Sequence, residues 1–226
     1  MTVSFVGAAS AEATSLSLPA HQAGDLIVIL AGRTGSTTLP TVPSGWFYLF
    51  GLTRSGTPAV CQFVAWKIAA SSAETSGTWT DATMLSAVVV RDSVNYLVAG
   101  GHGFGTRLNT TSVIYSISAN PGTSATSMRS QAAAYVLGLV TASTNSSDIE
   151  TPPTGMTNII ATAGTAAIEC VIHRTTSTVT SFSATATVSS SLNYVMHMFE
   201  ILDTGIAKSA GGGMLIHPGM SGGMRG

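Results

Sequence analysis

A chain of 226 residues, 45% of them hydrophobic, has enough apolar material for one large domain or two small ones. Its net charge of −1, with Lys67 and Lys208 as its two lysines and seven scattered arginines, leaves no electrostatic footprint for nucleic acid. Only 8% of residues are charged, against roughly 25% in an average soluble domain, and Ser, Thr, Ala and Gly take their place. Such a surface repels its neighbours weakly and suits a protein packed against copies of itself or other subunits.

Read in chain order, the sequence opens on Met1-Thr2-Val3-Ser4-Phe5, which has neither a basic region nor a long apolar stretch, so no signal peptide is expected. Short runs rich in β-branched residues then recur between turn signals, and helical periodicity is scarce. The predicted strands cover residues 2–6, 15–18, 26–31, 46–53, 59–68, 75–79, 84–91, 112–118, 133–141, 157–162, 166–174, 179–188 and 194–202. Pro40, Pro43 and Gly45 break the chain before Trp46, and Asn120-Pro121-Gly122 is a strong turn signal. The longest apolar run, Leu26 to Ala31, is a strand in length and far short of the roughly 18 residues that span a bilayer, so no membrane insertion is expected. The pattern implies an all-β sandwich or barrel.

The chain also repeats itself. Val42-Pro43-Ser44-Gly45-Trp46 is answered by Pro152-Pro153-Thr154-Gly155-Met156, an offset of 153 − 43 = 110. Cys61 is answered by Cys170 (170 − 61 = 109), and Val88 to Asp92 by Phe199 to Asp203 (203 − 92 = 111). Residues 2–6 likewise sit opposite 112–116, and 26–30 opposite 135–139. We therefore expect a first β repeat over residues 1–99, a Gly-rich connection over 100–111, and a second β repeat over 112–204 packed with the first. The run Val88-Val89-Val90 suits a strand buried on both faces, which two halves interleaved in one sandwich would satisfy better than two separate beads. Residues 205–226 are expected to form an extended Gly-rich C-terminal arm carrying Met214, Leu215, Ile216, His217, Pro218, Met220 and Met224, the candidate assembly residues. Thioethers fill irregular grooves, and glycine lets backbones approach closely.

Chemistry is sparse. None of the five histidines stands at a metal-ligand spacing from another His or Cys, and Cys170 and His173 point to opposite faces of a strand. No metal or cofactor is called for. Cys61 and Cys170 read as buried thiols, with a disulfide across a pseudo-two-fold axis as the alternative if their Cα atoms lie within about 7 Å. Gly101-His102-Gly103-Phe104-Gly105 lacks the following Lys and helix of a phosphate loop, so it reads as an inter-repeat connection. No Gly-x-Ser-x-Gly elbow occurs. Asp92 and Asp203 could form a carboxylate pair for glycoside hydrolysis, but strand-end aspartates that bond their own backbone are the simpler reading. No catalytic residue is assigned. Trp46, Tyr48, Trp66 and Trp79, with Phe47 and Phe50, are candidates for stacking on a sugar, although packing is the usual fate of large rings and is favoured for Trp46.

The succession Gly24-Asp25-Leu26-Ile27-Val28, Pro43-Ser44-Gly45-Trp46, Val64-Ala65-Trp66-Lys67-Ile68-Ala69 and Ala87-Val88-Val89-Val90-Arg91-Asp92 resembles tail-associated and other virion structural proteins of tailed bacteriophages. The resemblance covers roughly residues 1 to 204. It implies a jelly-roll-like β-sandwich with a degenerate second copy, and no catalytic residues. The expected protein is thus a non-enzymatic component of the tail, fibre, collar or capsid surface, made in the host cytoplasm and resident in the virion. Its expected partners are copies of itself, as a homo-oligomer, and neighbouring virion proteins. The alternative is a receptor- or carbohydrate-binding module that recognises a host surface glycan.

Overall fold

The computed structural model describes residues 3–117, 128, 133–144, 149 and 151–208. These form ten strands and no helix: β1 (Val3–Ala11), β2 (Leu26–Thr34), β3 (Phe47–Arg54), β4 (Val60–Ile68), β5 (Met84–Asp92), β6 (Asn95–Ile117), β7 (Tyr135–Ser143), β8 (Met156–Gly164), β9 (Ile168–Thr175) and β10 (Phe182–Ala207). They build two five-stranded sheets of order β1-β5-β2-β4-β3 and β6-β10-β7-β9-β8. Adding five to each label of the first order gives the second, so each repeat makes one sheet with the same topology. The fold is an all-β sandwich of two degenerate repeats. The halves share a sandwich but exchange no strands.

Stacking follows the same symmetry. β1 lies over β8, β5 over β9, β2 over β7, and β3 over β6 and β10. Exchanging the sheets reproduces this arrangement, which is an approximate two-fold axis between β2 and β7. The layer between the sheets holds Leu26, Val28, Leu30, Val64, Val88 and Val90 from one side and Leu137, Leu139, Cys170, Ile172, Phe199 and Ile201 from the other. All twelve are fully buried, and each such side chain contributes about 1.5–3 kcal/mol when taken out of water.

Strand register makes the repeat exact residue by residue. A positive φ at Gly45 and at Gly155 turns the chain into β3 and β8. Each of those strands then has an irregularity at the matching place, between Tyr48 and Phe50 and between Asn158 and Ile160, an offset of 158 − 48 = 110. Carrying this anchor across the ladders pairs Ala65 with His173 (offset 108), Ile29 with Gly138 (109) and Ala87 with Met198 (111). The Pro-Gly, 26–30 and Asp92/Asp203 correspondences agree with it. The cysteine correspondence does not: the register matches Cys61 to Glu169 and Gln62 to Cys170. One residue of slip changes the face. The Cys61 thiol therefore points outward to the Thr38 carbonyl oxygen at 3.2 Å, whereas Cys170 lies between the sheets against Gly32. Both are buried free thiols, and no disulfide joins them.

Three further expectations change. Residues 15–18 and 75–79 are not strands but crossing loops, joined by Leu16 N–H donating to Ser76 Oγ at 3.0 Å. Leu16, Leu18, Val42, Trp46 and Trp79 on such loops cover the outer face of the first sheet. Residues 100–111, expected as a connection, belong to β6. There Leu97 to Ala99 pair with Asp203 to Ile201, the place that β1 takes beside β5. Residues 112–116 are thus not the counterpart of 2–6. They pair instead with 183–187 as the tip of a long ribbon that bends near Asn109 (φ 49°) and doubles back over the second sheet. Tyr115 on this tip is fully buried, with its hydroxyl 3.0 Å from His173 Nδ1. β10 also continues to Ala207, into the region assigned to the arm. The remaining arm residues, Met214, Leu215, Ile216, His217, Pro218, Met220 and Met224 among them, lie outside the described residues.

Each sheet is also clasped at its ends. The Glu12 carboxylate accepts Thr165 N–H (2.9 Å), Thr165 Oγ1–H (3.0 Å) and Ala166 N–H (2.8 Å), holding the β8–β9 turn to the end of β1. On the opposite flank Asn193 accepts Asn109 N–H at 2.9 Å and donates to Pro58 O at 2.9 Å, holding the β3–β4 turn.

Two predictions follow from these contacts. A Cβ on Gly103 would collide with the Ser116 carbonyl oxygen of the doubled-back tip, whereas one on Gly105 meets its nearest atom, Met196 Cε, at 3.6 Å. Gly103→Ala should lower the unfolding free energy in urea by about 1–3 kcal/mol, and Gly105→Ala should leave it unchanged or raise it by up to about 1 kcal/mol. Equal effects would show that the tip does not pack there. The second concerns pH. Hydrogen bonds from Thr165 and Ala166 hold the Glu12 carboxyl below its usual 4.5. A lowered folded pKa stabilises above the unfolded value and loses that contribution as pH falls through the folded one. Wild type should therefore exceed Glu12→Gln in melting temperature near neutral pH, with the gap closing as pH drops below 4.5.

Candidate functional site

The duplicated body differs most between its two flanks, and the aromatic residues mark the difference. On the β1/β8 flank, Phe5 and Tyr135 meet edge to face at 6.0 Å, and the Arg174 guanidinium lies 4.4 Å from the Phe5 ring centre. This flank is capped by a charge. On the β3/β6 flank, Arg174 is replaced by its repeat equivalent Trp66, which stacks on Phe47 at 5.0 Å. Beside it Phe50 stacks on Phe104 at 5.1 Å and meets His197, tilted, at 4.8 Å. Phe47 is 47% exposed, Tyr48 60% and Phe104 45%.

Local structure explains their outward placement. The positive-φ turn at Gly45 delivers Trp46 inward, so the next two residues begin an edge strand. Phe47 and Tyr48 then fall on opposite faces of β3. Phe47 leans on Trp66, while Tyr48 meets the edge of Phe63 at 5.0 Å and its hydroxyl accepts Gly51 N–H at 3.1 Å. Among the described residues no strand lies beyond either ring.

Of the four proposed stacking residues, Tyr48 is open to a ligand and Trp66 is half-buried under Phe47. Trp46 and Trp79 are core. Trp79 is fully buried, its indole N–H donates to Ser76 O at 3.0 Å, and it meets Trp46 at 5.9 Å. The Lys67 ammonium sits 4.8 Å from the Trp46 ring centre and forms an ion pair with Glu74. Phe104 was hidden in sequence, because its Gly-rich surroundings read as a connection. Its alternation with Gly103 and Gly105 suits a strand whose one large side chain needs space, and that was the available signal.

The outer loops of the first sheet enclose a groove of about 680 Å³. Hydroxyls of Ser15, Ser17, Ser72, Thr75, Ser76 and Thr78 line it, with His21 and Glu74. His21 Nε2 accepts Glu74 N–H at 3.2 Å, so Nδ1 carries the proton and donates to Pro19 O at 2.6 Å. Both Glu74 oxygens are engaged, one by Lys67 and the other by Ala70 N–H at 2.9 Å. This is a polar surface that can hydrogen-bond a neutral ligand.

Several other polar groups and the two thiols are held inside the fold. The Asp92 carboxylate accepts Val94 N–H (2.7 Å) and Asn95 N–H (2.9 Å), and Asp203 accepts Gly205 N–H at 2.8 Å, so both strand-end aspartates bond their own turns. Asp25 is fully buried and receives a two-pronged contact from Arg91 at 2.7 and 2.6 Å. Burial pushes the Cys61 thiol up to about 11 and the Cys170 thiol up to about 12, which leaves little nucleophilic thiolate near neutral pH. Among the described residues no group of three His, Cys, Asp or Glu could hold a metal ion. Among the described residues no helix is long and apolar enough to cross a membrane. Compared with protein-family models, curated proteins and solved structures, the chain matches none of them.

Proposed function

We propose that this chain is a non-enzymatic structural protein of a tailed-bacteriophage virion, on the tail, fibre, collar or capsid surface, which works by assembling with copies of itself and with neighbouring virion proteins. The observation that carries this reading is the bareness of the sheet edges. The four edge strands are β1, β3, β6 and β8, and across all of them only Arg54 and Arg107 are charged. Proteins that stay monomeric blunt their edges with Lys, Pro or inward charges, because an open ladder is a template for another chain. Edges this bare, on a chain with 8% charged residues, suit surfaces that are covered in use. The resemblance of the body to phage virion proteins supplies the setting.

A second reading, host-glycan binding, is favoured by the hydroxyl-lined groove and by the exposed Tyr48 ring. A virion surface protein can do both. Immunogold labelling of intact particles, with antibody against residues 1–204, should decorate them. Washed particles without label would overturn the structural reading. Binding on a glycan array that is lost in Tyr48→Ala would support the second reading, and an empty array would remove it.

A further inference from the structure

We propose that the open edge of β3 is the docking site for the C-terminal segment of a second copy of this chain, residues 209–226, added as an antiparallel strand. This deepens the assembly reading above and rests on it.

β3 bonds to β4 on one side, and among the described residues no strand takes its other side. It contains no Pro and no Lys, and its one charge, Arg54, stands at its far end. Phe47 and Tyr48 rise on the two faces of this edge, and Phe104 continues the inner row from β6. A segment laid along the edge thus gains backbone groups to pair with, apart from the Gly51 N–H that the Tyr48 hydroxyl takes, and rings on both sides, and main-chain bonding of this kind is how strand addition recognises a segment.

Residues 209–226 fit that surface. They carry Met214, Leu215, Ile216, Met220 and Met224 and a single charge, Arg225. Thioethers contact ring edges favourably. β3 is kinked between Tyr48 and Phe50, and a rigid partner strand would have to match that kink. A segment with glycine at 211, 212, 213, 219, 222 and 223 can follow it. Pro218 has no N–H to give, so the ladder is expected on one side of it.

The root of the segment decides between its own body and a neighbour. Lys208 N–H donates to Val94 O at 2.8 Å, and its Nζ donates to Asp92 O at 2.8 Å. Its side chain lies against Gly24, just before β2. Register links Val28 of β2 through Trp66 to Phe47, so this is the end of the sandwich where β3 begins. Continued straight on from there, the chain's own segment would run in the direction of β3 and give a parallel pair, and an antiparallel one would need it to cross the edge first and turn back. Every pairing between named strands in the two sheets is antiparallel, and parallel pairing is slightly less stable per residue. A second copy's segment has no such restriction, and 226 − 208 = 18 residues reach at most about 60 Å, enough to bridge two bodies.

The test uses the full chain in two differently tagged forms, one with Thr53→Cys on β3 and one with Ser221→Cys. A bis-maleimide reagent is added to the mixture. The native thiols are buried, so the unsubstituted chain is the background control. A product carrying both tags is expected. Light scattering across a concentration series should show self-association weakened about tenfold or more by Phe47→Ser with Tyr48→Ser, and by truncation after Lys208, with melting temperature retained. Self-association that survives both changes, without a two-tag product, would overturn the docking site and leave the assembly reading standing. Cross-linking confined to a single chain bearing both cysteines would overturn the second-copy assignment. A full chain that stays monomeric throughout would overturn docking between copies and self-assembly together.

Discussion

Two-sided burial of the central strand is the constraint on which the rest of the architecture depends. Residues 26 to 31 of β2 are all fully buried, alternating between the inter-sheet layer and the outer layer of the first sheet. A strand apolar on both faces can leave neither face in water, so the sheet needs a cover on each side. The second repeat supplies one cover. The crossing loops that carry Leu16, Val42, Trp46 and Trp79 supply the other. The second sheet meets the same demand differently, with the tip of its own ribbon laid over Val136, Val140 and Met196. With both sheets closed in this way, the edge strands β3 and β6 carry Phe47, Tyr48 and Phe104 among the large apolar side chains left exposed.

Duplication explains why the two halves fit and where they differ. Turn glycine, kink and strand order coincide, while the offset drifts from 108 to 111 between strands. The register therefore absorbs small loop differences without moving side chains to the wrong face. Against that shared frame the flanks diverge. Where one repeat places Arg174 over Phe5, the other places Trp66 under an exposed Phe47. Arg174 over Phe5 in one flank and the exposed Phe47, Tyr48 and Phe104 in the other are an asymmetry on a symmetric scaffold.

The polar groups are spent on joints. Asp25 holds Arg91, Asp92 and Asp203 close turns, Glu12 clasps the far hairpin, and Glu74 ties Lys67 to the groove loop. With so few charges in the chain, these assignments leave the outer edges bare. The same scarcity links the composition to the assembly reading: a surface with little repulsion and open ladders associates unless something covers it.

Alternation, turn residues and the repeat were legible in the sequence, because they are local: the all-β class, most strands, the Pro-Gly turn pairs and the turn-forming role of Asp92 and Asp203 rest on a few neighbouring residues each. Period-two patterning could not reveal that 15–18 and 75–79 are covering loops, since apolar alternation in a loop that packs on a sheet looks like a strand. It missed β6 at residues 95–111, because glycine hides strand character where a folded-back backbone needs the room. It misaligned the cysteines by one residue, and only ladder register reveals which face a thiol takes. The exposure of Phe47, Tyr48 and Phe104, as against the burial of Trp46 and Trp79, was decided by tertiary structure alone. Aromatic side chains have the same composition signal inside and outside, and what separates them is whether another strand or loop lies beyond.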